Sequence, residues 1–142
     1  MADTYSFGDI DFIITHPSRG QYSLQGEGGG SITVAQANDV TTHDTAADGR
    51  VMVSKIATNN GNITINIQQI SPLNRWMEQL YVYLRNAPSN EWAVMTIMVY
   101  DRINGERVTC NGVSFQRRAE RTYQAQGQQR SWQLMTTDIT YA

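Results

Sequence analysis

The sequence predicts a mainly β protein, an antiparallel β-sandwich or partly open barrel with one flanking α-helix at about Pro72 to Asn86. Three observations carry this expectation. Apolar and polar residues alternate over several short stretches, most cleanly at Ile63, Ile65 and Ile67, the period of a half-buried strand. In one stretch the period becomes helical, with Leu73, Trp76, Met77, Leu80 and Leu84 on one face. Turn signals separate the apolar runs, including Asn-Gly pairs at Asn60-Gly61 and Asn104-Gly105.

The elements follow in order. Ile10, Phe12 and Ile14 alternate with Asp9, Asp11 and Thr15 in a first strand, which His16-Pro17-Ser18-Arg19-Gly20 breaks. Gln21 to Leu24 is a short strand, Gly26 to Gly30 a turn, and Ser31 to Gln36 a strand again. Asn38 to Gly49 is polar, acidic and short of large apolar residues, as a protruding loop would be. Val51 to Ala57 reads as a strand, and the Asn-Gly beyond it predicts a hairpin spanning Val51 to Gln69. Ser71 is a good N-cap and Pro72 suits the first helical position. Asn86-Ala87-Pro88 ends the helix. Trp92 to Asp101 and Arg107 to Phe115 form the next two strands, the second bent at Asn111-Gly112, and Gln129 to Thr137 forms the last. No repeat or linker divides the chain, so residues 1–142 are expected to form one domain. That length buries roughly 68–70% of the unfolded surface, enough for a core without disulfides or metals.

Composition excludes several functions. The single cysteine, Cys110, allows no intrachain disulfide and fits a reducing compartment. The first ten residues lack a basic segment followed by an apolar one, so no signal peptide is expected. The longest near-apolar run, Trp92 to Tyr100, is far shorter than the ~20 residues of a membrane helix. Net charge is -2, unlike a protein held on nucleic acid by phosphate contacts. The charge is also unevenly placed. Met1 to Arg50 holds seven acids against two arginines, whereas Arg102 to Arg130 holds six arginines against two acids. Lys55 is the only lysine. An acidic half and an arginine half are complementary, either between copies or within one.

Catalytic patterns are lacking. Asp44 to Gly49, beside His43, does not have the ligand spacing of a cation loop. No Gly-x-Ser-x-Gly elbow accompanies His16 or His43. Cys110 lies within an expected strand, where a thiol is buried and inert. Gly26 to Gly30 lacks the Lys-Ser/Thr of a phosphate loop. Asp9 and Asp11 read as a solvated face, and Arg117, Arg118 and Arg121 as carboxylate partners rather than a nucleic-acid patch.

The stretches Tyr5 to Pro17, Met52 to Ser71 and Gly112 to Met135, with the aromatic helix of Trp76, Leu80 and Tyr83, resemble a family of small phage and prophage structural proteins. These are the tail tube proteins of contractile-tailed bacteriophages. The resemblance implies no enzyme activity, no cofactor and no metal. It implies a β-sandwich with a flanking helix, assembled with itself into hexameric rings that stack as a hollow tube inside a contractile sheath. It further implies baseplate and tape-measure partners, DNA passing through the lumen without specific binding, no membrane, synthesis in the host bacterial cytoplasm and residence in the virion tail. Lumen hairpins in such tubes join across subunits, and a long loop reaches the next ring.

A DNA conduit needs an uncharged or acidic wall. Thr64, Asn66 and Gln68 are therefore the expected lumen face, on the Val51 to Gln69 hairpin. Asp39, His43, Asp44 and Asp48 are expected on the inter-ring loop. Arg117, Arg118 and Arg121 are the expected basic partners between subunits. The competing readings are a tube terminator, the tube subunit of a related injection system, and a monomeric β-sandwich ligand-binding module, which would need a concave aromatic site, whereas Trp92 and Trp132 fall in expected strands where core packing is the simpler reading.

Overall fold

A computed structural model of the chain describes residues 10–25 and 30–141, with the side chains of residues 24 and 25 left aside. Residues 26–29 of the sequence-predicted turn from Gly26 to Gly30, the Asp9 position and the beginning of the family-like opening stretch lie outside those residues. Ten strands and one helix follow in the order β1 (Ile10–His16), β2 (Gly20–Gln25), β3 (Ser31–Gln36), β4 (Thr41–Thr45), β5 (Val51–Lys55), β6 (Gly61–Gln68), α1 (Pro72–Asn86), β7 (Met95–Asp101), β8 (Arg107–Arg117), β9 (Gln129–Thr136) and β10 (Asp138–Tyr141). A short 3₁₀ turn at Ser89–Glu91 joins α1 to β7.

Eight strands pair antiparallel in the order β2-β1-β7-β8-β9-β6-β3, with β10 also on β8. The long β8 is the corner between two layers. Its first part pairs with β7 and β10, and its second part with β9. The corner forms at Gly112, where φ is +62° and the β7–β8 register slips by one residue. Such a bulge bends the strand. A Cβ on Gly112 would also run into Thr137 Oγ1, so glycine is required twice over.

Alternation decides which side chains fill the space between the layers. Ile63, Ile65 and Ile67 on β6, Phe12 and Ile14 on β1, and Trp132 and Leu134 on β9 are all buried. The helix adds Leu73, Met77, Leu80 and Leu84. Its start is fixed locally: the Ser71 hydroxyl accepts the Leu73 N–H at 3.4 Å, and Pro72 follows. Its register on the sheet is fixed by Asn74. Asn74 Oδ1 accepts the buried Trp132 Nε1–H at 3.0 Å, and Asn74 Nδ2 donates to Gln68 O at 2.5 Å. Trp76 is only half-buried and meets Tyr22 at a ring separation of 5.9 Å. Tyr81 stands edge-on to Phe115 at 5.4 Å.

The helix bounds agree with the helical period. The strand pairing differs from expectation at one place. Val51–Lys55 does not form a hairpin with β6. It pairs with Thr41–Thr45, which the sequence reading placed in a loop. β6 pairs instead with β3 and β9. The reason is that the Asn60-Gly61 pair is no turn here. Gly61 opens β6 tight against β3, and a Cβ there would meet Ala35 O. Two smaller differences occur. β7 begins at Met95, because Trp92 caps the 3₁₀ turn with its N–H on Ser89 O at 3.2 Å. β10, four residues long, was not predicted.

Candidate functional site

The outer face of the β3-β6-β9 layer is uncharged and mostly polar, with Ala35 and the exposed Met135 beside Asn62 at one end. On β6 it carries Thr64, Asn66 and Gln68, the expected residues, and Asn62. Register extends it sideways. Thr64 lies between Thr33 and Gln133, Asn66 between Ser31 and Ser131, and Gln68 beside Gln129. Asn66 Nδ2 donates to Ser31 Oγ at 3.0 Å across the pair. The β3 and β9 residues were missed in the sequence, although the Gln129-x-Ser131-x-Gln133 alternation opposite Trp132 and Leu134 was the available signal. Arg117 closes the border of this face, opposite Gln133, and is exposed with no ion-pair partner among the described residues.

The acidic segment forms an arm rather than a loop. Beyond β3 and β6 the two chains stay together, with Ala37 N–H on Asn60 O at 3.1 Å and Ile56 N–H on Val40 O at 2.9 Å, and continue as the β4–β5 hairpin. Every residue of β4 is exposed, and all of β5 except Ser54. Val51, Met52 and Val53 are 51%, 60% and 63% exposed. His43 and Asp44 fall on opposite faces of β4, and Asp48 is held by Arg50 at 3.4 Å. Asp39 sits at the base of the arm. An isolated hairpin of this size is marginal in water, and its valines and methionine are left exposed by the described residues.

Arg118 and Arg121 find a carboxylate within their own chain. Both grip Glu78 Oε2 on α1, Arg118 through Nη2 and Nε at 2.6 and 2.8 Å, and Arg121 through Nη2 at 2.9 Å. Glu78 lies in neither the acidic nor the arginine half, so this pairing is separate from the charge asymmetry between them. Asp11 of the acidic half also meets Arg102 of the basic half, at 3.6 Å. Burial raises the Glu78 pKa, but the hydrogen bonds and charges of the two arginines outweigh it and leave the pKa below its ordinary 4.5. A depressed carboxylate stabilises the fold above its unfolded pKa, and this contribution is lost as pH falls through the folded value. Glu78→Gln is therefore expected to cost about 1 kcal/mol at pH 7, or roughly 3 °C in Tm. The two proteins should converge as pH falls below 4.5 and through the lowered folded value, as thermal melts across an acid series will measure.

A second polar cluster joins residues 75 positions apart. His16 is fully buried. Its Nδ1 accepts the Ser18 N–H at 3.1 Å, so Nε2 carries the proton and donates to Glu91 O at 3.1 Å. Glu91 accepts from Ser18 Oγ at 2.5 Å and from Tyr83 OH at 3.1 Å. The Ser18 bond, with help from Tyr83, holds the Glu91 carboxyl below its ordinary pKa. This is a Ser-His-Glu set in composition only. The serine hydroxyl is bonded to the glutamate and the imidazole to backbone, so no base activates the serine. The cluster pins the β1–β2 turn to the end of α1.

Cys110 is fully buried, and burial together with the Asp138 charge pushes its pKa to about 11. Among the described residues, no three His, Cys, Asp or Glu side chains gather as a metal would require, and no helix is long and apolar enough to cross a membrane. Trp132 is core, and Trp92 is half-buried against it rather than set in a concave aromatic site.

The chain matches the family described as bacteriophage PhiTE tail tube protein over residues 1–142. Comparison with curated proteins finds no match. Among solved structures, the fold is similar to that in the sheath–tube complex of PVC, an extracellular contractile injection system, in its extended state. That match has 10% identity and a TM-score of 0.58, and covers 92% of this chain and 87% of the other. The PVC sheath/tube terminator matches at 8% identity and a TM-score of 0.64, over 99% and 98% of the two chains. The baseplate of the anti-feeding prophage, 6-fold symmetrised, matches at 13% identity and a TM-score of 0.63, over 100% and 97%. At these identities the likeness is one of fold. The match of the whole chain shows what kind of molecule carries the polar sheet face and the arm: this is a structural protein of the phage tail, not an enzyme, and it belongs to the bacteriophage PhiTE tail tube protein family.

Proposed function

We propose that the chain assembles into hexameric rings stacked as a hollow conduit for DNA within a contractile sheath, with the β3-β6-β9 face turned to the lumen. The observation that carries this reading is the chemistry of that face. Thr64, Asn66, Gln68, Ser131 and Gln133 are exposed or half-exposed, wettable and uncharged. A duplex sliding past these five meets uncharged side chains, and the cations beside them, Arg117 and Arg118, are confined to the β8 border of the face next to Gln129, Ser131 and Gln133. The arm would reach the neighbouring ring with Asp39, His43, Asp44 and Asp48. Arg117, still exposed, remains the member of its trio best placed to meet a neighbouring subunit. Sheath, baseplate and tape-measure proteins are the proposed partners, in keeping with the sheath–tube, terminator and baseplate assemblies that contain similar folds.

Cysteine labelling tests the lumen assignment. Burial and the Asp138 charge keep the Cys110 thiol protonated at pH 8, and it is also fully buried. The folded wild-type chain should therefore stay unlabelled by maleimide until denatured. Against that blank background, Ser131→Cys should label fully in free subunits. In assembled tubes it should resist a 5-kDa polyethylene-glycol maleimide at least tenfold, while Gln79→Cys on the exposed face of α1 should not. Equal labelling of Ser131→Cys in tubes and subunits would remove the face from the lumen. Single rings in place of tubes would favour a terminator.

A further inference from the structure

The arm and a basic cleft lie at opposite ends of the same sheet. The arm leaves where β3 and β6 meet, at Gln36 and Gly61. The cleft opens past the other end of β6, seven residues on, or about 23 Å at strand rise. It has a volume of about 590 Å³, and its lining includes Ile70, Arg75, Glu78, Arg121 and Arg130. Three arginines face one glutamate, and that glutamate is already shared between Arg121 and Arg118. Arg75 is exposed and makes no ion pair among the described residues. Two buried atoms of the lining side chains, Arg130 Nε and Glu78 Oε1, have no hydrogen-bond partner among the described residues. Ile70, at 88% exposure, is the most exposed large apolar side chain described.

The arm carries the complement. Asp39 and Asp44 are exposed and make no ion pair among the described residues, since Arg50 is taken by Asp48. Val51 and Val53 share one face of β5, and Met52 lies on the other. Resting on the tube reading above, we propose that the cleft at the Gln68 end of one copy receives the β4–β5 arm of a second copy in the next ring. Asp39 and Asp44 face Arg75 and Arg130, and the arm's apolar side chains cover Ile70. Because the two surfaces differ and sit at opposite ends of the subunit, the contact is head to tail, and it repeats without closing on itself. It therefore makes a filament of rings.

Charge swapping tests the contact. Asp39→Arg with Asp44→Arg reverses the arm, and Arg75→Glu with Arg130→Glu reverses the cleft. Each pair alone is expected to raise the concentration needed for stacking at least tenfold, read by sedimentation and negative-stain microscopy. All four substitutions in one chain should bring it back to within about threefold of wild type, a rescue that a misfolded variant cannot give. Arm and cleft variants that stack as wild type does would overturn the contact alone, and so would failure of the fourfold variant to recover while its melting temperature is normal. A wild-type chain that never stacks would remove the tube reading and this contact with it.

Discussion

Replacing Trp132 by alanine is expected to cost about 4 kcal/mol of stability, within the range of roughly 3–5 kcal/mol for emptying an aromatic site in a core. Trp132 is fully buried between β6 and β8, with Ile65 opposite it and the Phe115 ring at 5.7 Å. Its loss removes more than volume. The indole N–H is the partner of Asn74 Oδ1, so alanine leaves a buried amide oxygen without a donor. Because Asn74 is also the bond from α1 to Gln68 O, the helix loses its register on the sheet. Against a typical total of 5–15 kcal/mol, this change alone puts much of the protein near its unfolding threshold. Trp132→Phe separates the two effects. It keeps most of the packing and gives up the hydrogen bond, and its expected cost is about 2 kcal/mol. Urea unfolding followed by far-UV circular dichroism measures both. A loss below 1 kcal/mol for the alanine variant would mean that the helix is held to the sheet by other contacts.

The arm provides the opposite kind of experiment, a large change that should leave the fold untouched. Ile56 N–H already donates to Val40 O at 2.9 Å at the arm's base. Removing Thr41 to Lys55 and joining Val40 to Ile56 through Asn-Gly closes a two-residue turn on that existing bond. No buried core residue lies in the deleted segment. The melting temperature is expected to move by less than about 5 °C, since the segment buries no large apolar side chain. Assembly is expected to stop: the subunit should remain soluble and fail to form tubes at concentrations at least a hundredfold above those that suffice for wild type. Solubility should improve as well, because Val51, Met52 and Val53 are removed from water.

The parts of the fold set by local physics were legible in the sequence. The serine cap, the proline and the five-residue apolar stripe defined α1 to the residue. Alternation defined β3 and the core face of β6, and Asn111-Gly112 marked the bend in β8. What stayed hidden was set by partners distant in sequence. The Asn-Gly at Asn60-Gly61 has the local signature of a hairpin, yet its glycine serves a close approach to β3, 25 residues upstream in the register. β4 was hidden because Thr41 to Thr45 is exposed on both faces, so no hydrophobic alternation marks it. The Glu78 pair with Arg118 spans 40 positions, and the His16–Glu91 bond spans 75. No spacing rule along the chain finds such pairs. For the polar face, the β6 residues were legible because isoleucines alternate with them. Its width across β3 and β9 depended on register, which only the folded sheet supplies.

If subunits stack into a hollow tube with the β3-β6-β9 face inward, electron cryomicroscopy of the purified chain, assembled across a concentration and salt series, will see it. The expected image is stacked rings around an open channel, with the strand bearing Thr64, Asn66 and Gln68 lining it and the β4–β5 arm crossing to the adjacent ring. A tube whose channel is lined by α1, with the uncharged sheet face outward, would contradict it.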